Sequence, residues 1–212
     1  MRIPDVYDEL NGVSGINRDR IVLAHMAGHK RWSERQIADN LSPFQRIAVE
    51  LLEDSRIEAL TLREYPGLKK YLLALHPIPV EGSCDNEHES CVRHRLAMLS
   101  RAILDQNHGY KNPQILDCVE KFHAALKDGE SSSKEMLQIA ISFTAKTRLQ
   151  SDQLPKVRFE NTNVDYRDDN RHMWVFIEED DEPDDMQRKT QDTDIDEPEG
   201  LQPHQYQKRD CT

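Results

Sequence analysis

Glycine is scarce in this sequence, eight residues in 212, and none falls in a G-x-x-x-x-G-K-[ST] or G-x-G-x-x-G arrangement. Without such loops to cradle phosphates, the chain reads as no ATPase and no dinucleotide-binding enzyme. The G-x-S-x-G string is also missing, as is any signature of a catalytic cysteine, so covalent acyl transfer has no support in the sequence. No stretch approaches the roughly 18 apolar residues in a row that a membrane-spanning helix requires. Met1-Arg2-Ile3-Pro4-Asp5 lacks the apolar core of a signal peptide, and the expected location is the cytoplasm. Four cysteines (Cys84, Cys91, Cys118, Cys211) in such a setting are expected to be free thiols.

What is abundant is charge. Charged residues make up 32% of the chain and hydrophobic ones 37%, low for a uniformly packed globule. From Glu178 to Glu199 twelve acidic residues face only Arg188 and Lys189, which places −10 of the total −11 in that segment. The remainder is close to neutral. A near-neutral body argues against nucleic acid as a partner, since phosphate neutralisation needs a basic surface. The segment from 178 to 212 has almost nothing apolar to bury and is expected to be a disordered acidic tail or linker.

The rest reads as a mainly α protein, a bundle of six or seven helices over 17–154 preceded by an arm at 1–16. Asn17 is positioned to cap a helix from Arg18 to about Trp32, with Ile21, Val22, His25, Met26 and His29 on one face. Ser33-Glu34-Arg35-Gln36 has the form of a capping box opening a short helix, and Ser42-Pro43-Phe44-Gln45 opens a long one that Tyr65-Pro66-Gly67 ends. Further helices are expected over 68–75, about 88–105, 113–127 and from Ser131 to about Gln150. After Pro155, Lys156–Phe159 and His172–Ile177 are rich in β-branched and aromatic residues and predict a small β-hairpin over 155–177.

Three constellations carry chemistry. His25 and His29 lie one helical turn apart, the spacing that lets paired imidazoles grip zinc, with Glu50, Glu53, Asp54 or Glu58 as a source of a third ligand. The residue after the first histidine is Met26, so the glutamate that activates water in H-E-x-x-H hydrolases is missing. The alternative is two histidines satisfied at a helix–helix interface. Cys84, His88, Cys91 and His94 offer four possible zinc ligands within eleven residues, in a spacing that matches no standard zinc module, and ordinary loop and helix residues are the competing reading. Glu53, Asp54, Arg56 and Glu58 crowd the middle of the long helix, either as ion pairs on a solvated face or as a buried network or docking face.

Several strings taken together resemble a known family: Ala24-His25-Met26-Ala27-Gly28-His29-Lys30-Arg31-Trp32, Asp39-Asn40-Leu41-Ser42-Pro43-Phe44-Gln45-Arg46, Leu52-Glu53-Asp54-Ser55-Arg56-Ile57-Glu58, Tyr65-Pro66-Gly67-Leu68 and Val164-Asp165-Tyr166-Arg167-Asp168-Asp169-Asn170-Arg171. They are similar to the region that precedes the von Willebrand factor A domain in the NorD/CbbO family, over roughly residues 17–206. The resemblance implies a non-enzymatic adaptor without a cofactor of its own. It implies docking on a MoxR-type AAA+ ATPase to activate a metalloenzyme client, nitric oxide reductase or RuBisCO. The family's client-gripping domain uses a D-x-S-x-S metal motif that does not occur here, so this chain is expected to be a fragment or a truncated form. The competing reading is a zinc-dependent hydrolase with a degenerate metallopeptidase-like helical core, built on His25, His29 and a carboxylate near Glu53.

Overall fold

A computed structural model of the chain describes residues 7–85, 90–127, 129–152 and 162–177. Six α-helices account for most of them: α1 Gly15–Trp32, α2 Pro43–Glu64, α3 Lys69–Leu75, α4 Cys91–Leu104, α5 Pro113–Lys127 and α6 Ser133–Thr147. No helix among the described residues is long and apolar enough to cross a membrane. The expected acidic tail from 178 onward and the first arm of the expected hairpin, 156–159, lie outside the described residues.

Local chemistry explains where the helices start. Ser42 accepts from the Gln45 backbone N–H while the Gln45 side chain accepts from the Ser42 N–H at 2.9 Å, and Pro43 fills the first helical position, where no N–H is needed. Ser132 and Glu135 repeat that box at α6, and the Asn112 carboxamide accepts from the N–H groups of Gln114 and Ile115 to open α5. At α1 the cap is Ser14 rather than Asn17, which lies inside the first turn.

One expectation around the small strands fails. Ser33 opens no helix: its backbone N–H closes the C-terminal turn of α1 on the His29 carbonyl, and its hydroxyl donates to Glu53, so the box with Gln36 never forms. Gln36–Ile37 is instead a short strand, β1, and its partner is β2, Trp174–Val175, in parallel register with Gln36 opposite Trp174 and Ile37 opposite Val175. The second arm of the expected hairpin therefore pairs with a segment far upstream. A parallel pair needs a long crossover, and almost the entire bundle is that connection.

The apolar core divides into two clusters. The larger joins α2, α4, α5 and α6 around Leu52, Leu99, Phe122, Met136 and Ala140. The smaller joins the N-terminal turn, α1, α3 and the returning 164–166 segment around Val13, Ile21, Leu72, Val164 and Tyr166. Residues 52–58 of α2 are all buried, so this helix is enclosed on every side in its middle. Gly28 allows α1 to approach it closely: a Cβ there would lie 3.3 Å from Thr61 Oγ1 and 3.4 Å from Ile57 Cβ. That approach sets His25 and His29 against the polar face of α2.

Candidate functional site

An enclosed helix cannot leave its polar residues in water, and in α2 they form a continuous polar seam. Glu53, Asp54, Arg56 and Glu58 are 0%, 3%, 1% and 5% exposed. This corrects the expectation of a solvated or docking face: no partner protein can reach these four side chains. Each is held by another element, as burial of charge requires. Arg56 grips Glu53 through Nε and Nη2 at 2.9 and 2.6 Å and donates to the Trp32 carbonyl at 2.6 Å. Glu53 also accepts from the hydroxyls of Ser33 and Ser133 at 2.6 and 2.8 Å. All of its neighbours are donors already engaged in structure, so Glu53 is not the carboxylate of a metal site.

The other half of the seam is closed by the returning 162–177 segment. Arg167 forms a fork on Glu58 at 2.7 and 2.9 Å and donates to Ser100 at 2.9 Å, while its Nε stays 3.7 Å from Asp54. Tyr166 Oη lies 3.1 Å from His76 Nδ1, and His76 Nε2 lies 3.2 Å from Ser100 Oγ. Asn170, in a left-handed conformation with φ of 52°, donates from Nδ2 to Asp54 Oδ1 at 3.1 Å. Asn tolerates that backbone region better than most residues, which suits it to the turn that delivers the strap.

Burial drives the protonation of these groups, opposed by specific partners. It pushes the His76 imidazole down to about 4 and lowers His25, so both rings are neutral near pH 7. It also acts to raise Asp54 and Glu58. For Asp54 a hydrogen bond from His29, when that ring carries a proton on Nε2, and the Arg167 and histidine charges together outweigh it, and for Glu58 the Arg167 charge and hydrogen bond together with His76 and His25 do, so both carboxyls are held below the ordinary range. Arg167, despite its own burial, is kept charged by the two carboxylates.

His25 and His29 are brought together as their spacing foretold, with Nε2 atoms 3.1 Å apart. The carboxylate that joins them is Asp54, whose Oδ1 lies 3.1 Å from His29 Nε2 and 3.7 Å from His25 Nε2. These three are the His/Cys/Asp/Glu group able to hold a metal ion among the described residues. A cavity of about 120 Å³, lined in part by Glu50, Asp54, Ser100, Arg167 and Asn170, reaches this carboxylate from the α4 side.

The second candidate dissolves. Cys84 and Cys91 are joined in a disulfide, their Cα atoms 5.7 Å apart, so neither supplies a thiolate, and the free-thiol expectation is corrected for this pair. His94 is occupied with the Val80 carbonyl at 2.9 Å, and His88 lies outside the described residues. Cys118 is free and buried among apolar side chains, which pushes its thiol up to about 12.

Sequence reasoning undervalued the 162–177 segment, whose Tyr166, Arg167 and Asn170 complete the seam. The one available signal was Arg167 and Asn170 in an otherwise acidic turn. Glu50 was weighed only as a ligand; instead it accepts from Trp174 Nε1 at 2.7 Å, and burial raises it to about 7.

No family model, curated protein or solved structure matches the chain.

Proposed function

We propose that this chain is an adaptor that works with a MoxR-type AAA+ ATPase to activate a metalloenzyme client, nitric oxide reductase or RuBisCO being the clients the resemblance points to. The observation that carries the reading is convergence. Three of the strings that resemble the NorD/CbbO family, around His25–Trp32, Glu53–Glu58 and Tyr166–Asn170, are joined by hydrogen bonds that span up to 116 residues, so that their side chains meet in one seam. Residue types shared as a set are thereby accounted for as a set: each string supplies donors or acceptors that the others need.

On this reading α2 is scaffold and the partner docks elsewhere. Ile37, Val175, Phe176 and Ile177 form an apolar strip at the small sheet, 51%, 37%, 59% and 59% exposed, and the acidic run begins directly after it. An apolar strip followed in the sequence by a polyanionic run suits an ATPase surface that offers both an apolar groove and basic residues.

The test is co-expression with a MoxR-type AAA+ ATPase from the same organism. The expected result is co-purification and a changed ATPase rate, both weakened by Phe176→Asp. A partner that neither co-purifies nor changes its rate would overturn the adaptor reading.

A further inference from the structure

We propose that His25, His29 and Asp54 form a zinc-type metal site that locks α1 to α2. The argument rests on hydrogen bookkeeping and does not depend on the adaptor reading. Glu53 can only accept, so the Ser33 hydroxyl proton, 2.6 Å from Glu53 Oε1, points there. Ser33 Oγ must then accept from His29 Nδ1, 2.9 Å away, which places the ring N–H on Nδ1 and turns the bare Nε2 lone pair toward the opposite side. In the neutral ring that lone pair faces Asp54 Oδ1 and His25 Nε2, each at 3.1 Å, while His25 Nδ1 on the far side of its ring is buried without a hydrogen-bond partner.

A proton on His25 Nε2 serves only the contact between the two rings, and a proton on His29 Nε2 serves only one of that atom's two contacts; a metal ion serves all three atoms together. The geometry fits the metal. Zinc bonds of about 2.0–2.1 Å in a tetrahedron put neighbouring ligand atoms about 3.3–3.4 Å apart. The three edges here are 3.1, 3.1 and 3.7 Å.

The charges agree. The seam buries three carboxylates, Glu53, Asp54 and Glu58, against two guanidiniums, Arg56 and Arg167. Arg56 is committed to Glu53 and Arg167 to Glu58, so Asp54 is the acid without a guanidinium at hydrogen-bonding distance. A cation held by Asp54 and the two imidazoles balances it. The surrounding groups are those that orient metal ligands: the Ser33–Glu53 relay fixes the His29 tautomer, Glu58 Oε1 sits 3.7 Å from His25 Nδ1, and Asn170 holds Asp54. Three protein ligands leave the fourth tetrahedral position to a water, and since Met26 stands where a hydrolase carries its glutamate, that water has no such base beside it and the metal serves to cross-link two helices.

The test uses the full chain stripped with chelator and titrated with Zn²⁺ or Co²⁺ alone. Expected are about one zinc per chain, a higher Tm on zinc addition, and the intense visible bands of four-coordinate cobalt. Asp54→Asn and His29→Gln should weaken zinc binding by at least about tenfold, and Ser33→Ala by about 10–100-fold with the cobalt bands retained. The proposal is overturned by failure of the wild-type chain to bind zinc, by a pale six-coordinate cobalt spectrum, or by zinc affinity unchanged in a folded Asp54→Asn or His29→Gln chain. It is equally overturned if Cys84→Ser with Cys91→Ser abolishes binding. Should those two ligand variants not fold, the wild-type cobalt spectrum and the Ser33→Ala titration decide.

Discussion

The two sides of α2 hold the molecule together by different means. On one side Leu52 and its neighbours pack against Leu99, Phe122 and Met136 in a cluster where each contact is small, non-directional and additive. On the other, Glu53, Asp54, Arg56 and Glu58 meet histidines, serines and a second arginine in a network where each member is satisfied only by particular others. An apolar cluster degrades gradually as atoms are removed. A buried charge network fails at once, because losing one member strands the rest without water.

This contrast is open to direct attack. The largest effect is expected from Arg56→Met, which leaves Glu53 buried and uncompensated and should cost about 3–5 kcal/mol in urea unfolding. Adding Glu53→Gln should return part of that loss, and a double variant as unstable as the sum of the two singles would contradict a coupled pair. Leu99→Ala, fully buried in the apolar cluster, should cost about 3 kcal/mol, with no rescue by substitution in the seam.

A smaller, pH-dependent effect sits at the seam's edge. Glu50 is raised from 4.5 to about 7, chiefly by burial, so the folded chain holds a proton there that the unfolded chain has lost. Stability is therefore expected to fall as pH rises from about 4.5 to 7, and Glu50→Gln should remove that slope. The variant should gain about 2 kcal/mol at pH 8 and little at pH 4, by the conversion of about 1.4 kcal/mol per unit damped by partial exposure. A parallel pH dependence in the two proteins would show that Glu50 carries no such strain. The smallest effect is the cap: Ser132→Ala should cost about 1 kcal/mol at any pH, measured by thermal unfolding, since it removes one acceptor from the first turn of α6.

Much of the helical frame was legible because its signals are local. Ser42-Pro43-Phe44-Gln45, Asn112-Pro113 and the serines before Lys134 each satisfy orphan N–H groups within four residues, so the boundaries of α2, α5 and α6 follow from neighbours alone. Ser33 misled because its hydroxyl had two uses. The local one, capping a following helix, lost to Glu53, twenty residues away, whose buried carboxylate had greater need of a donor. Cys84 and Cys91 were read as free from compartment and chain size, whereas the fold sets their backbones at bridging distance. That disulfide bears on the expected cytoplasmic location, since such bonds persist mainly in oxidising compartments.

The candidate site divides in the same way. The spacing of His25 and His29 already determined that both imidazoles would share a face, because a helix repeats every 3.6 residues wherever it lies. Which carboxylate they meet was not determined by spacing: Glu50, Glu53, Asp54 and Glu58 are all within two turns on α2, and only the packing of α1 across Gly28 selects Asp54. The arrival of Arg167 and Asn170 from more than a hundred residues downstream was equally beyond the sequence, because which donors a buried carboxylate finds depends on tertiary approach and not on pattern. Periodicity and caps thus determined the helices and their faces. The tertiary structure alone decided that the charged face of α2 turns inward, since a helix enclosed on every side has no water left to offer its charges.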